Sequence, residues 1–122
     1  MRGMITHVKF VSIPTTDQDR ALAFYTEHLG FRVVTDQPFG AQRWIELRIG
    51  SSDTRFVLFT TDDGPRPGSR FAGALACDNV ERPYEELSAR GVEFVGRPKA
   101  EPWGTFAIMS DPDGNQFVLS SR

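Results

Sequence analysis

"DQDRALAFYTEHLGFRVV", residues 17–34, predicts one complete helix followed by the start of a strand. Asp17, or Thr16 before it, can accept hydrogen bonds from the free amides of the first helical turn. Gly30 can adopt the left-handed conformation that ends a helix, and "FRVV" has the β-branched composition of a strand. Apolar residues recur at helical spacing and predict a buried helix face: Ala21, Leu22, Phe24, Tyr25 and Leu29.

The same pattern occurs a second time along the chain. A shift of 61 residues places Asp17 on Asp78 and Gly30 on Gly91 without a gap. The same shift places the "FVL" of residues 56–58 on the "FVL" of residues 117–119. Two copies are too few for a solenoid, so we interpret the chain as a duplicated supersecondary unit.

Each copy predicts a strand, a helix and then three strands. In the first copy "ITHVKFVSI" precedes the helix, and "FRVVTDQ", "QRWIELRI" and "TRFVLFT" follow it. In the second copy "RFAGALAC" precedes a helix opened by Asp78, and "VEFVGRP", "TFAIMS" and "NQFVLSS" follow. The turn "DPDGN", residues 111–115, is expected to be only a turn, although its two aspartates suggest a cation site as the alternative.

One helix can cover only one face of the sheet that its copy forms, so each sheet keeps an open face. We therefore expect an α+β fold of two tandem βαβββ units, whose mixed sheets curl around a cleft lined by the open faces. The expected limits are residues 4–61 for the first unit, 62–69 for a polar connector, 70–122 for the second unit and 1–122 for the single domain.

Composition narrows the classes of function. Fourteen basic and 16 acidic residues give a formal net charge of −2, which argues against nucleic acid or an anionic membrane as the main partner. No apolar run approaches the length of a membrane span, and the N-terminal residues lack the apolar core of a signal peptide. Cys77 is the single cysteine, so no intramolecular disulfide can form. We expect a cytoplasmic protein.

Two segments resemble a known family. Residues 17–34 are similar to the signature helix and strand of the vicinal oxygen chelate superfamily, and "EPWGTFAIMSDPDGNQFVL", residues 101–119, resembles its closing segment. The family includes glyoxalase I, extradiol dioxygenases and bleomycin-resistance proteins. The resemblance covers nearly the whole chain and implies the same paired βαβββ fold, but it does not by itself give the function.

The resemblance also implies a divalent metal on the open faces, held by His, Gln or Glu from the first and last strands of each unit. Carried over to this sequence, those positions fall on Phe10, on Val57, on Val118, and on Ala72 or its neighbour Phe71. All are apolar, and a metal site needs several nitrogen or oxygen ligands that converge on one point. We therefore expect no cofactor, and a metal only if the protein is one of the family's metal-dependent enzymes.

The strand "RWIELRI", residues 43–49, alternates between two faces. Ile45, Leu47 and Ile49 are expected under the helix. Trp44, Glu46 and Arg48 are then expected on the open face, where Arg48 could pair with Glu46. An ordinary surface ion pair is the alternative interpretation.

The same strand parity in the second unit places Thr105, Ala107 and Met109 on the open face. Trp103 precedes that strand, and for it ordinary packing is the alternative to ligand contact. The predicted ligand-binding set is therefore mainly apolar and aromatic, as in most small-molecule sites. It consists of Phe10, Ser12, Trp44, Glu46, Arg48, Val57, Phe59, Ala72, Trp103, Met109 and Val118.

These residues predict a metal-free protein that binds a small aromatic or amphipathic molecule. The alternative is a metal-dependent enzyme of the superfamily, a glyoxalase I-like lyase or isomerase or an extradiol-type dioxygenase, with Glu46 as catalytic base or ligand. A partner-binding module without a small ligand is the third possibility. Cys77 is expected to be a buried structural thiol, and exposed sheet edges and apolar faces predict a homodimer.

Overall fold

The structure, a computed structural model, describes residues 3–60 and 70–121. The chain divides into two compact units, Met1–Gly64 and Pro65–Arg122, and each has its own sheet. The predicted connector, residues 62–69, lies outside the described residues. The first unit consists of β1 (Phe10–Pro14), α1 (Gln18–Ala23), a π-helical segment (Phe24–His28), β2 (Arg32–Phe39), β3 (Gln42–Arg48) and β4 (Arg55–Phe59).

The sheet of the first unit has the strand order β1-β4-β3-β2. β1 runs parallel to β4, and the other two pairs are antiparallel. Ile45 and Leu47 of β3 and Leu58 of β4 are fully buried on one face. On that face Phe31 contacts Phe56, with the ring centroids 5.5 Å apart, and the tyrosine ring of the helical segment contacts Phe31 at 5.6 Å. The helix therefore covers the face that the alternation of β3 predicts.

The start of α1 is fixed to the sheet by side-chain hydrogen bonds. Asp17 caps the helix, since its carboxylate accepts from the amide of Arg20 at 3.0 Å. Gln18 accepts from the Arg43 amide at 3.1 Å and donates to the Arg43 carbonyl at 2.7 Å and the Leu58 carbonyl at 3.0 Å. These bonds satisfy backbone groups near one end of β3 and β4, so the helix cannot slide along the sheet without breaking them.

Arg43 adds an ionic link between the same elements. Its guanidinium donates two 3.0 Å hydrogen bonds to Asp36 on β2 and also pairs with Asp19 of α1. The bond from Arg43 holds the pKa of the Asp36 carboxyl below its usual value, and the two carboxylates, Asp36 first, raise the pKa of Arg43. The three charges thus join the helix to the edge strand β2.

The first strand is shorter than the sequence predicts. A strand was expected over residues 5–13, but β1 begins at Phe10 because its partner β4 begins at Arg55, in register with Phe10. Before β1, the Lys9 carbonyl accepts a hydrogen bond from the Arg55 amide at 3.2 Å, but Met4 and Ile5 are 97% and 91% exposed. The β-branched composition of this segment therefore does not produce a strand in the structure.

The second unit repeats the plan with small differences. Its elements are β5 (Arg70–Ala76), α2 (Glu81–Ala89), β6 (Glu93–Phe94), β7 (Lys99–Glu101), β8 (Gly104–Ser110) and β9 (Gln116–Ser120). The strand order is β5-β9-β8-β6, with β7 also paired to β8. The predicted strand "VEFVGRP" is thus only the two-residue β6, and β7 follows separately. α2 begins three residues after Asp78, and the side chain of Asn79 accepts from the Arg82 amide at 3.0 Å.

The turn before β9 is an internally bonded structure built on Asp111. Asp111 is buried, and its Oδ1 accepts from the amides of Asp113 at 3.0 Å and Asn115 at 2.8 Å. Its Oδ2 accepts from the Asn115 side-chain amide at 2.9 Å. These bonds direct both carboxylate oxygens toward the turn itself, which agrees with the structural role expected from the sequence.

The predicted fold class is confirmed: the protein is α+β, with two mixed sheets and few helices. Each sheet combines one parallel strand pair with antiparallel pairs. Within the described ranges, no helix is both long enough and apolar enough to cross a membrane.

Candidate functional site

The open face of the first sheet carries a hydrogen-bonded tryptophan and glutamate. Glu46 is in register with Val57 of β4, on the face opposite the buried Ile45 and Leu47. The indole Nε1 of Trp44 donates to Oε2 of Glu46 at 2.7 Å. The two side chains lie two residues apart on one strand, so the alternation of β3 brings them together. The bond uses the single hydrogen-bond donor of the indole.

Two phenylalanines flank this tryptophan. The ring centroid of Phe10 lies 5.6 Å from that of Trp44 at 86°, and that of Phe39 lies 5.5 Å away at 67°. Both are edge-to-face arrangements, which aromatic rings prefer to direct face-to-face stacking. We call Phe10, Phe39 and Trp44 the aromatic cluster. Phe10 is 37% exposed and Phe39 53% exposed, so the cluster presents accessible aromatic surface.

Glu46 has a different cationic partner from the one that the sequence suggested. Arg48 was expected to pair with it, but Arg48 instead donates to the carbonyls of Ser51 and Ser52, each at 3.2 Å. Oε1 of Glu46 lies 3.8 Å from Nε of Arg55. The suggested pair of Arg48 with Glu46 is wrong because the Arg48 side chain reaches the adjacent turn, whereas Arg55 lies on the neighbouring strand.

The remaining predicted residues of the first unit share this face. Ser12 is in register with Val57, and Pro14 is in register with Phe59. Ser12 is exposed and Phe59 is half-buried, whereas Val57 is only 1% exposed. An apolar residue thus lies close to the centre of the open face, with polar and aromatic groups around it. Their role in ligand binding stays a prediction.

The second sheet corrects the predicted face of β8. Met109 was expected on the open face, but it is in register with Phe117 and Phe94, and the ring of Phe94 contacts Tyr84 of α2 at 4.9 Å. Met109 is fully buried and lies on the helix-covered face. The partner of Val118 is Ile108.

The error has a simple geometric cause. Ile45 pairs with Leu58 in the first unit, and Ala107 pairs with Leu119 in the second. The last strands are therefore related by 61 residues, whereas the strands before them are related by 62. A difference of one residue exchanges the two faces of a strand, so the expected open-face position of Thr105, Ala107 and Met109 is wrong, and Ala107 and Met109 are core residues.

Trp103 lies just before β8 and stacks on Phe106, with centroids 5.7 Å apart and planes at 22°. Its side chain is 55% exposed. Phe106 and Ile108 are two residues apart on β8, so their side chains lie on the same face of the second sheet. Ala72 lies in β5, but its side chain is outside the described part of the structure, as is that of Phe71.

Sequence reasoning missed several residues of these faces, among them Phe39, Arg55 and Ile108. Phe39 is in register with Gln42 across a tight hairpin, so the length of that turn was the available signal. Arg55 has the same parity as Val57 and could have been found by counting along β4. Ile108 was missed through the one-residue difference in repeat length.

The residues at the family's metal positions do not fit a metal ion. Phe10 packs against Trp44, Val57 is buried, and Val118 pairs with Ile108. None carries a nitrogen or oxygen donor on its side chain. Across residues 3–60 and 70–121, no group of three His, Cys, Asp or Glu side chains could hold a metal ion.

Cys77 lies beside a groove in the second unit. The groove has a volume of about 610 Å³ and is lined by Ala74, Leu75, Ala76, Cys77, Asp78, Ser120 and Ser121. Burial first, and then the charge of Asp78, raise the pKa of the Cys77 thiol. The thiol is therefore protonated near neutral pH, and a protonated thiol is a poor nucleophile and metal ligand.

Comparison with known proteins gives a consistent result. The family model described as the Glyoxalase/Bleomycin resistance protein/Dioxygenase superfamily matches residues 5–119. An antibiotic binding protein, TnmS3 from Streptomyces sp. CB03234, is 36% identical with a TM-score of 0.87, covering 98% of each chain. A member of the same superfamily from Sphaerobacter thermophilus DSM 20745 is 34% identical with a TM-score of 0.89, covering 98% of this chain and 99% of its own. YetH of Bacillus subtilis (strain 168) is 34% identical over 120 residues, 95% of this chain and 98% of its own.

The bond between Trp44 and Glu46 predicts how two substitutions at residue 46 differ. Glu46→Gln keeps an oxygen acceptor for the indole and should cost at most about 1 kcal/mol of unfolding free energy, because the Arg55 contact is long and partly exposed. Glu46→Leu removes the acceptor and should cost roughly 1–3 kcal/mol. Urea unfolding of both variants measures the difference, and equal losses would show that the indole bond does not stabilise this face.

Proposed function

The chain belongs to the glyoxalase/bleomycin resistance protein/dioxygenase superfamily, and from that premise we propose that it binds a small aromatic or amphipathic molecule without reacting with it. The observation that carries the proposal is the aromatic cluster on the open face of the first sheet, with Glu46 bonded to Trp44. The family resemblance is confirmed by the matched model and relatives. A structurally similar protein at 36% identity, TnmS3, is an antibiotic binding protein, which supports a small-molecule ligand.

The geometry of Trp44 indicates how such a ligand would be held. Because Glu46 already accepts the indole N–H, Trp44 offers a bound ligand its ring faces and edges and no hydrogen-bond donor. The bond also fixes the orientation of the indole, so less side-chain entropy is lost when a ligand stacks on it. Phe10 and Phe39 extend the apolar surface on the two sides of Trp44. This arrangement suits a flat aromatic molecule.

The residues give less support to an enzyme. Glu46 is the candidate base, yet one of its oxygens accepts from Trp44 and the other lies near Arg55. The Cys77 thiol has a raised pKa, and the metal positions of the family hold apolar side chains. A metal-dependent lyase, isomerase or dioxygenase is therefore the alternative, and binding without conversion is the function that we propose.

The proposal extends to assembly and location. We propose a homodimer, because β1 is an edge strand among the described residues and the segment before it exposes Met4, Ile5 and Val8. A cytoplasmic location is supported by the lone Cys77, which has no intramolecular disulfide partner. The single-domain organisation over residues 1–122 stays a prediction.

Ligand binding can be followed through the two tryptophans of the chain. With phenylnaphthylamine, a neutral aromatic dye, as the probe, Trp103→Phe leaves Trp44 as the fluorophore, and dye binding should quench its emission. Trp44→Phe leaves Trp103, and this variant should be quenched less and bind the dye roughly 2- to 10-fold more weakly, the scale of an aromatic contact. Equal quenching and equal affinity in the two variants would contradict a site at Trp44.

Elemental analysis of the purified protein tests the metal-free part of the proposal. We expect far less than one divalent ion per chain, because the family's ligand positions at Phe10, Val57 and Val118 are apolar. The control is the same preparation after incubation with zinc and with manganese, followed by gel filtration. One tightly held ion per chain that is lost in Glu46→Gln would contradict this proposal and support the enzyme.

If the protein is a homodimer, its mass in solution should be twice the 13.7 kDa of one chain. Multi-angle light scattering over a range of micromolar concentrations measures this mass. Ile5→Lys places a charge in the exposed apolar segment and should shift the population toward the monomer, since an unpaired charge is costly to bury at an interface. A monomer mass at all concentrations for the unmodified chain would rule out the dimer.

A further inference from the structure

Three arginines form a row across the open face of the first sheet. Arg32 of β2 is in register with Arg48 of β3, and Arg48 is in register with Arg55 of β4. Residues directly opposite each other on paired strands share a face, so the three side chains arise side by side. We call them the arginine row.

Placing three like charges opposite one another is unfavourable for the fold itself. The guanidinium groups are held mainly by neutral acceptors. Arg32 donates to the Gly50 carbonyl at 3.5 Å, and Arg48 donates to the carbonyls of Ser51 and Ser52. Arg55 donates to the carbonyls of Ser52 and Asp53 at 3.5 and 3.1 Å. Backbone carbonyls orient these groups but do not neutralise their charge.

The carboxylates near the row do not balance it. Within the described residues, the ion pair that reaches the row is the 3.8 Å contact between Glu46 and Arg55. Arg48 uses Nε and Nη2 for the turn carbonyls, and a guanidinium has five N–H donors, so donors remain on it. Arg32 is exposed and uses Nη2 alone in the bond to Gly50. The Arg32–Arg48 end of the row therefore keeps positive charge and donors for an anion.

The arginine row adjoins the aromatic cluster. Arg55 is in register with Phe10 of β1, and the Phe10 ring contacts Trp44 with centroids 5.6 Å apart. A molecule lying on the aromatic cluster thus has Arg55 beside Phe10, and Arg48 and Arg32 follow along the row on the same face. Glu46 is hydrogen-bonded to Trp44 and carries negative charge, so it repels an anion. Arg32 and Arg48 carry positive charge, so an anion is favoured beside them.

We propose that the arginine row binds the anionic group of the ligand, a carboxylate, sulfonate or phosphate, while the aromatic part of the ligand lies on the aromatic cluster. This inference rests on the proposed function and specifies its ligand class as aromatic acids. Guanidinium groups suit such anions because two parallel N–H donors match two oxygens of the group.

A pair of dyes with one aromatic skeleton tests the inference. Anilinonaphthalene sulfonate carries a sulfonate, and phenylnaphthylamine is the same skeleton without it. For the unmodified protein we expect tighter binding of the sulfonate dye and an affinity that falls with added salt, while the affinity for the neutral dye changes little. In Arg32→Gln and in Arg48→Gln, the ratio of the two affinities should fall about tenfold, the scale of one charged hydrogen bond.

The control variant is Arg82→Gln, which removes the same charge from an exposed position on α2 in the second unit. It should leave the ratio of affinities unchanged. Arg32→Gln keeps the test valid if Arg48→Gln fails to fold, because within the described residues Arg32 makes one 3.5 Å bond to the turn.

The outcomes separate the two proposals. If both dyes bind at Trp44 but the ratio of their affinities in all three variants equals that of the unmodified protein, the arginine row has no role. The proposed function then stands. A ratio that falls equally in Arg82→Gln would show a general charge effect and would also overturn the inference. If Trp44→Phe leaves the affinity for both dyes unchanged, the proposed function and the inference built on it both fail.

Discussion

A single helix can cover one face of a sheet and no more, and this constraint determines the chemistry of each unit. In the first unit α1 covers the face of Ile45 and Leu47, and hydrogen bonds from Gln18 to Arg43 and Leu58 fix its position. Among the described residues of this unit, no helix lies on the opposite face. Apart from the buried Val57, side chains there can differ without loss of the core, which is why one fold can carry unrelated functions.

On that face the residues at the family's metal positions are not metal ligands. Apolar residues occupy the metal positions, and Phe10, one of them, is part of the aromatic cluster. A metal site recognises a substrate by direct coordination of oxygen atoms. In the proposed site, an aromatic cluster next to guanidinium groups would instead recognise the shape, ring area and charge of a ligand.

The sequence predicted the fold class and the faces of the first sheet well. Side chains alternate along a strand, so one residue placed correctly assigns every other residue of that strand to a face. The alternation in "RWIELRI" placed Trp44 and Glu46 on the open face, and the register of Glu46 with Val57 agrees. Prediction failed where the result depended on the exact number of residues between strands or on the conformation of a long side chain. One extra residue in the second repeat moved Met109 into the core, and the reach of Arg48 to a turn carbonyl could not be read from spacing. The role of these residues in binding a ligand was beyond parity altogether, since the same face could carry a surface ion pair.

The indole bond to Glu46 connects the two halves of the proposed site. Without an acceptor the indole N–H would be an unpaired donor beside apolar rings, and a carboxylate is the strongest acceptor that a neighbouring side chain can supply. That carboxylate also attracts Arg55, the end of the arginine row nearest to Phe10. Glu46 thereby pairs with Arg55, and among the described residues Arg32 and Arg48 have no carboxylate partner. Arg32 and Arg48 therefore keep their positive charge on the same face of the sheet as Trp44.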